Sequence, residues 1–531
     1  MAGFRKPETP RDQMVLWPTQ LDDAIAADHP VRHVAFLLAS EPLATTFREW
    51  AGSYVLVEGK PPYHPRDLTG LYLYGMMNRI RSSRQLERAC WDHLDVIWLM
   101  SGQKPDHSTI AQFVKDHQKR LRQMFRDVLQ VAIGAGLVKL EHVSIDGTNV
   151  EADAGRGSVH GEATIAAQMA KVEEQIRVLE AEWEANEARE QSLYGDSLPL
   201  TPEGSGSVKE RLARVQAQQS RLREALEAIA RRREEAPGRE PKAIASVTDP
   251  SSRSMKDKEG RRKPNYNTQL GVDTTAGVIV GHGVNDQAED GGLLMPMLTE
   301  VESTCGCLPD EASADSQYNT GPELEALEKA GVRGYLPASH QKSDLCHSDS
   351  PATKALSAAQ AGQTLADEQW AALPKDGDGR ITKEAFRYDR EANVYRCPMN
   401  QVLVHARYTT DQRRWGKAIC AQYGNCSACA TCPRAGMCCR EPSKGRLVTR
   451  DQYEDHRERM RAWMDSEQGR SRYWLRRQTV EPRIGLIKHV LGVRRFLRRG
   501  MEAVRTEWSL VCTAVNVGIL LRHWPEVVKT L

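Results

Sequence analysis

Through the first quarter of the chain, apolar residues recur at intervals of three and four. "PRDLTGLYLYGMMNRI" and "STIAQFVKDHQKRLRQMFRDVLQVAIGAGL" both carry that repeat, so residues 30 to 138 are expected to be helical. Ser108 or Thr109 is the expected N-cap, and Gly134 and Gly136 the stop. The period then changes. "LEHVSIDGTNVEA" holds a short β-branched run halting at Asp146-Gly147, which predicts a strand with an aspartate at its carboxyl end. From residue 165 the helical repeat returns. Ile165, Met169, Val172, Ile176, Leu179 and Trp183 are spaced 4, 3, 4, 3, 4, and Val208, Leu212, Val215, Gln219, Leu222, Leu226 and Ile229 keep the same rhythm. Such seams bury one stripe against a partner helix. The turn-rich "LYGDSLPLTPEGSGS" between them predicts an antiparallel, coiled-coil-like hairpin within the chain, an intermolecular zipper being the rival.

Beyond a basic linker near 231 to 243, "YNTQLGVDTT" and "GVIVGHGVND" alternate around a Thr-Ala-Gly turn, as a β-hairpin does. A helix over 290 to 302, a short strand into "ASADSQY", a helix over 321 to 330 and a strand in "VRGYLP" follow. That is mixed α/β organisation, with Asp315 at a second strand end. Residues 338 to 395 read as polar and loop-rich, and the last 60 as helical. "SLVCTAVNVGILL" is interrupted by Thr513 and Asn516 and falls short of the ~20 residues a spanning helix needs, so it reads as a core helix.

A length of 531 residues exceeds one compact domain. The net charge of +2 says nothing about partners, but its distribution does. From Arg470 to Arg499 there are ten Lys and Arg against Glu481 alone, whereas the charges of 162 to 190 are mainly acidic. The basic stretch points to a polyanion. One carboxylate inside it would repel phosphate unless it had a task of its own. The opening "MAGFRKPETPRDQ" lacks the basic, apolar, small-residue order of a leader, so a cytoplasmic protein is expected.

Twelve cysteines in such a chain suggest metal ligation where they cluster. Cys426-x2-Cys429-x2-Cys432-x5-Cys438, with Cys397 upstream, gives paired thiolates that suit tetrahedral zinc. The expected ligands are Cys397, Cys429, Cys432 and Cys438, with Cys426 able to replace any of them and an iron–sulfur cluster as the alternative. "PKDGDGRITKEAF" is a calcium-loop decoy, because Pro374 and Ala385 occupy the first and twelfth positions of that register. His107, His282 and His489 have no metal spacing and are expected in surface or packing roles. Three acids remain: Asp146, Asp315 and Glu481. Strand-end aspartates cap turns in any fold. With a third carboxylate they could hold two Mg(II) ions ~3.5–4 Å apart, the arrangement that serves phosphoryl transfer.

"SIDGTNVEA", "YNTQLGVD", "SADSQY" and "TVEPRIGLIKHVLGVRRFLRRG" resemble the DDE transposases of bacterial insertion sequences, in the branch numbered eleven-eighty-two. "GKPPYHPRDLTGLYLYG", "RSSRQLERAC" and "PDHSTIAQF" are similar to that group's N-terminal region, and "CPMN" with "CATCPRAGMC" to its cysteine-bearing insert. The resemblance implies an α/β fold with an RNase H-like mixed-sheet catalytic core. It implies an N-terminal helical, DNA-binding domain at 1–138, core segments at 139–150 and 265–337, and a helical-hairpin insertion at 151–264. A cysteine-rich, metal-binding insertion at 338–470 and a C-terminal helical part of the core at 471–531 complete it.

The triad carried over is Asp146, Asp315 and Glu481, binding two Mg(II) ions, with Mn(II) as a substitute, beside a structural Zn(II). The family pattern Tyr-x2-Arg-x3-Glu-x6-Lys stands here as Trp474-x2-Arg477-x3-Glu481-x6-Lys488, with Tyr473 one place early. Arg477, Glu481 and Lys488 are expected on roughly one helical face. Arg477 and Lys488, with Arg494, Arg495, Arg498 and Arg499, would contact DNA, and Arg81, Ser82, Ser83 and Arg84 are further phosphate candidates. Gln317 replaces the usual glycine after Asp315. Pro482 implies either a helix starting there with Glu481 as its cap, or a kink.

The implied activity is cleavage of phosphodiesters at the element's ends by activated water, and attack of the freed 3′-OH on target DNA, with no covalent enzyme intermediate. Partners are double-stranded DNA, at terminal inverted repeats and target, and further copies of the chain on that DNA; no membrane is implied, and a nucleoid-associated location is. The alternative is an inactive, domesticated transposase acting as a DNA-binding regulator. A zinc hydrolase using the cysteines fails because four thiolates leave no water position.

Overall fold

The computed structural model describes residues 20–54, 61–194, 205–234, 244–256, 260–338, 350–413 and 415–531. Helices α1 (Pro30–Ala39), α2 (Leu43–Gly52), α3 (Pro65–Met77), α4 (Ser83–Asp92), α5 (Leu94–Leu99), α6 (His107–Asp116) and α7 (Gln118–Gly134) fill the N-terminal region. The cap of α6 is Asp106, not Ser108 or Thr109. Its carboxylate accepts the Thr109 N–H at 2.9 Å and both neighbouring hydroxyls, which a serine oxygen could not do at once. The long helix expected over 108 to 137 breaks at His117, whose ring pairs with the Tyr54 hydroxyl at 2.9 Å and packs against Trp50 and Phe113. It stops where expected, with Gly136 at φ +71° just beyond α7.

The main sheet is mixed. β1 (His142–Glu151) is central, and a long excursion follows it. Short strands β2 (Val159–Gly161) and β3 (Ile244–Ser246) pair at the foot of two helices, α8 (Glu162–Tyr194) and α9 (Ser205–Glu234). Then come β4 (Arg253–Lys256), β5 (Arg262–Asp273), β6 (Ile279–Asn285), β7 (Glu311–Ser313) and β8 (Arg333–Tyr335), with α10 (Leu294–Cys305) and α11 (Gly321–Ala330) in the crossovers. The order is β4-β5-β1-β7-β8, with β6 also on β5. β5 is antiparallel to β1 and to β6, forming the expected hairpin, whereas β7 and β8 run parallel.

β1 does not halt at Asp146-Gly147. It pairs with β5 as far as Glu151, so Asp146 sits in mid-strand opposite Leu270. Thr148 and Val150 continue the β-forming pattern, and Gly147 is a place of close approach rather than a stop. A Cβ there would meet Asp290 Oδ1 and Gln269 Nε2, each at 2.5 Å.

The two heptad seams face each other within one chain. Ile165, Val172 and Ile176 pack against Leu222, Ala225 and Ile229. The antiparallel sense follows from Arg233 near the end of α9 pairing with Glu162 at the start of α8, at 2.6 Å. At the foot, buried Arg232 donates to the Ser252 carbonyl at 2.8 Å and pairs with Asp286 at 3.4 Å, tying the helices to the sheet. The connection at 195–204 and the linker at 235–243 lie outside the described residues.

Residues 350 to 395 are more ordered than their polarity suggests. They hold α12 (Pro351–Gln360) and α13 (Asp367–Ala372), where alanines 355, 358 and 359 form the buried stripe and give little hydrophobic signal. Strands β9 (Arg387–Asp389), β10 (Val394–Arg396), β11 (Val402–Arg413), β12 (Gly416–Gly424) and β13 (Val448–Asp451) make a second, antiparallel sheet in sequence order. The short helices α14 (Cys426–Ala430) and α15 (Ala435–Cys438) carry most of the cysteine cluster.

The C-terminal region contains α16 (Glu454–Asp465), α17 (Glu467–Trp474), α18 (Val480–Gly485), α19 (Met501–Arg522) and α20 (Trp524–Val528), but it is not helical throughout. Around residues 494 to 496 the chain runs beside the end of β1, the Phe496 N–H donating to the Glu151 carbonyl at 2.8 Å. α19 is long and apolar enough to cross a membrane, yet it is packed in the interior. Its Asn516 amide satisfies both the N–H and the carbonyl of Ile279 in β6, at 2.9 and 2.8 Å. Buried Glu507 accepts the N–H groups of Leu497 and Arg498 at 2.9 and 3.1 Å and pairs with Arg81 at 2.9 Å.

Replacing Glu507 with Ala strands a buried guanidinium and two N–H groups, so it should cost about 3–5 kcal/mol in urea denaturation. Glu507→Gln, which still accepts hydrogen bonds, should lose clearly less.

Candidate active site

Parallel pairing of β1 with β7 sets the site. Ser144 stands beside Ser313, and their hydroxyls lie 3.1 Å apart on one face of the sheet. Side chains alternate along a strand, so two residues further along each places Asp146 and Asp315 on that face side by side. Asp315, unlike Asp146, does follow its strand. It holds an extended backbone ahead of a 3-10 turn, Ser316–Tyr318, and accepts the Ser316 hydroxyl at 2.8 Å. Gln317 has an ordinary backbone there, with no positive φ that would call for glycine.

Between the acids comes a residue that sequence reasoning passed over. Arg476 is buried, and its guanidinium lies 3.1 Å from Asp146 Oδ1. It belongs to a 3-10 turn, Leu475–Gln478, joining α17 to α18. That turn is pinned to β1 by Thr479, whose hydroxyl donates to Ser144 Oγ at 2.9 Å. Arg476 also donates to the Tyr473 hydroxyl at 3.1 Å. Burial pushes the Asp146 carboxyl up to about 6; Arg476 opposes this, and Asp315 and Asp290 reinforce it. Burial likewise works against the Arg476 charge, but Asp146, with Tyr473 and Asp315, more than offsets it.

Asp290 is the second residue the sequence did not signal. It lies against Gly147, across β1 from the Asp146 face, and accepts the amides of Asn267 and Gln269 at 2.7 and 2.8 Å. Gln269 in turn accepts the buried Tyr318 hydroxyl. A single acid in "NDQAED" carries no period or spacing that would mark it.

Glu481 is exposed in the first turn of α18, which packs on β1 through buried Val480. The helix begins at Val480, so Pro482 sits in the first turn, where its missing N–H costs nothing. Glu481 is therefore inside the helix and not its cap. The expectation of one shared face for Arg477, Glu481 and Lys488 does not hold. They occupy a 3-10 turn, an α-helix and a π-helical turn (Leu486–Val490) in succession, each with its own residues per turn. Among the described residues, no three His, Cys, Asp or Glu side chains are arranged to hold a metal ion. The structure thus joins Asp146 and Asp315, with Glu481 on the helix next to them.

Arg477 is exposed and stacks over Trp474 at 3.8 Å, while Tyr473 serves Arg476. A Tyr-x2-Arg pair therefore exists one residue earlier than the alignment of Trp474 suggests. Most of the basic run is engaged within the chain. Lys488 donates to the Asn149 carbonyl at 2.8 Å, Arg494 to His489 at 2.8 Å, Arg498 to the Tyr72 hydroxyl at 3.2 Å, and Arg499 to Asp153 at 2.9 Å; Arg495 lies 3.7 Å from Glu151. Arg81 is not a surface phosphate contact, being consumed by Glu507 and the Gly492 and Arg495 carbonyls. Ser82 caps α4 in a capping box with Gln85, Ser83 begins that helix, and Arg84 is exposed.

Of the cysteines, Cys397, Cys429, Cys432 and Cys438 come into mutual electrostatic range, joined by buried Cys439, which bonds to Cys429. Burial, followed by neighbouring thiols, pushes Cys438 up to about 12 and Cys439 up to about 11. Cys426 stands apart, exposed, with its thiol on the Lys444 carbonyl at 3.3 Å. In the decoy loop Asp376 and Asp378 are both paired to Arg380.

Two known families match the chain. Residues 19–116 match the family described as transposase domain (DUF772), and residues 396–521 the family described as transposase DDE domain. No curated protein matches. The second match contains Glu481, Arg476 and the cysteines, and the first covers α1 to α6.

The raised Asp146 carboxyl takes up a proton in the folded chain before the unfolded chain does. Its contribution to stability is therefore present at low pH and fades as pH rises from 3.8 to about 6. Arg476→Gln removes the opposing charge, so in metal-free buffer the upper end of that window should move to higher pH in urea midpoints. A window closing at the wild-type pH would show that Arg476 exerts no such effect.

Proposed function

We propose that the chain, with its two transposase-family matches, is a DDE-type transposase of the insertion-sequence kind that cuts DNA phosphodiesters at the element's ends and joins the freed 3′-OH to target DNA. The observation that carries this reading is the Asp146–Asp315 pair beside a parallel strand junction, opposed by one buried cation. A DDE domain implies divalent metal use in general, and the two acids fit it: hard carboxylate oxygens, one raised by burial and further by its acidic neighbours, in need of positive charge. Asp146, Asp315 and Glu481 are the proposed ligands of two Mg(II) or Mn(II) ions. Bound there, the metals supply charge stabilisation at the attacking and leaving oxygens of an in-line displacement.

The chain's own residues hold the parts in place. Arg476 fixes the Asp146 carboxylate, and Thr479 fastens the turn that carries Arg476 to β1. Arg477, Lys488, Arg494, Arg495, Arg498 and Arg499 contact DNA phosphates through N–H groups beyond their internal bonds, since a guanidinium has five and an ammonium three. The sheet order, with an antiparallel meander followed by two parallel strands, supports an RNase H-like core built from 139–150, 265–337 and 471–531. The helices of 1–138 read the terminal repeats, the excursion at 151–264 assists assembly, and two or more copies act on paired ends.

In the insertion at 338–470 the thiols of Cys397, Cys429, Cys432 and Cys438 hold a structural zinc, with Cys439 a better substitute ligand than Cys426. Four thiolates close the coordination sphere and leave chemistry to the acids.

Purified protein incubated with Mg(II) and DNA carrying the gene's native flanks should yield discrete 3′ ends. Asp146→Asn and Glu481→Gln should bind the same DNA and leave it uncut. Cutting by either variant at the wild-type rate would remove that residue from the mechanism. Metal analysis should find about one zinc per chain, in keeping with a four-thiolate site. Cys432→Ser should lower that content and the melting temperature together, and Cys426→Ser neither.

A further inference from the structure

A cleft of about 600 Å³ opens between α7, β6, α10 and the first turn of α19, away from the basic run near the C-terminus. Its lining is cationic. Lys119, Arg122 and Arg126 project from one face of α7, at i, i+3 and i+7, and Arg505 joins them from α19. The opposing acid in the lining is Glu300, whose carboxyl burial pushes upward against the pull of Arg126. His282 in the wall is kept neutral by burial and by Arg126 and Arg122.

These cations are lightly committed. Arg122 pairs with Glu502 at 3.1 Å, but with side chains 27% and 60% exposed, and such a pair is worth at most about 1 kcal/mol. Arg126 donates to the Ser303 hydroxyl at 3.0 Å, a neutral partner, and lies in electrostatic range of Glu300. Arg505 pairs with the same Glu502, at 2.9 Å, so one largely exposed acid serves two of the four cations, which otherwise repel one another around the concavity.

One wall of the cleft is Gln269, paired across the sheet with Gly147, the residue after Asp146. Gln269 and Gly147 face the side of the sheet opposite to Asp146, so the cleft lies one strand over and across the sheet from the acid pair. We propose that this cleft binds the sugar-phosphate backbone of DNA outside the acid site, with Lys119, Arg122, Arg126 and Arg505 as its phosphate contacts. The inference rests on the transposase reading and adds to it a contact surface from the N-terminal helices. It gives α7 a task beyond packing on α19.

The test measures binding of the full chain to a labelled duplex made from the DNA flanking the gene, over a range of salt concentrations. Each phosphate contact adds about 0.9 to the slope of log affinity against log salt, so Lys119→Gln with Arg126→Gln should lower that slope by about 1.8. The charge-keeping pair Lys119→Arg with Arg126→Lys should retain the wild-type slope, which a packing defect in α7 would not allow. Lys329→Gln, an exposed cation on α11, should also leave it unchanged. An unaltered slope in the glutamine pair, in a wild type that still cuts DNA, would overturn the cleft and leave the transposase reading intact. A wild type that binds no DNA at any salt would overturn both.

Discussion

A single buried carboxylate, Glu507, holds three parts of this molecule in one arrangement. It sits on α19, the apolar helix in the interior, and draws in Arg81 from the N-terminal helices and the backbone of residues 497 and 498. An ion buried among apolar side chains is tolerated only where its bonds are all made. The path of the basic segment is therefore imposed by the need to satisfy one acid. That segment in turn runs beside the end of β1, the strand that bears Asp146. The attachment of the N-terminal helices and the course of the basic segment beside the acid-bearing strand thus depend on the same buried charge.

Much of the architecture was legible because it follows from periodicity. The two seams of α8 and α9, the β5–β6 hairpin and the apolar α19 each have a pattern that one burial geometry explains. α12 was illegible because alanine buries little area, and a stripe of alanines resembles a polar loop to any hydrophobic count. The break at His117 was illegible because it depends on Tyr54 and Trp50, more than 60 residues away in the chain.

For the site, strand-end reasoning found both aspartates while misjudging one strand's length. Asp146 is in the middle of β1 and gains its character from burial and from Asp315, neither of which is local. Arg476 was hidden by its surroundings, since one arginine among ten basic residues between 470 and 499 looks like part of a solvated face. Its burial depends on a 3-10 turn and on Thr479 reaching Ser144, 335 residues earlier. The helix-face arithmetic for Glu481 failed because it presumes a uniform helix, and three helical geometries follow one another there.

The excursion between β1 and β5 has a bearing on how the chain folds. Two strands that lie side by side in the finished sheet are separated in sequence by residues 152 to 261, a separation that would ordinarily make their pairing slow. The helix pair removes much of that delay. α8 and α9 associate by contacts local to the excursion, and the β2–β3 clasp with Arg232 at their foot returns the chain to its point of departure. Loop-closure entropy grows only with the logarithm of length, by about 0.6 kcal/mol per doubling. Once the helices have zipped together, the loop left to close is residues 152 to 158 and 247 to 261, about a fifth of the original length. The sheet can then assemble nearly as a simple meander would, and the length of the helical arm is released from any constraint the core imposes.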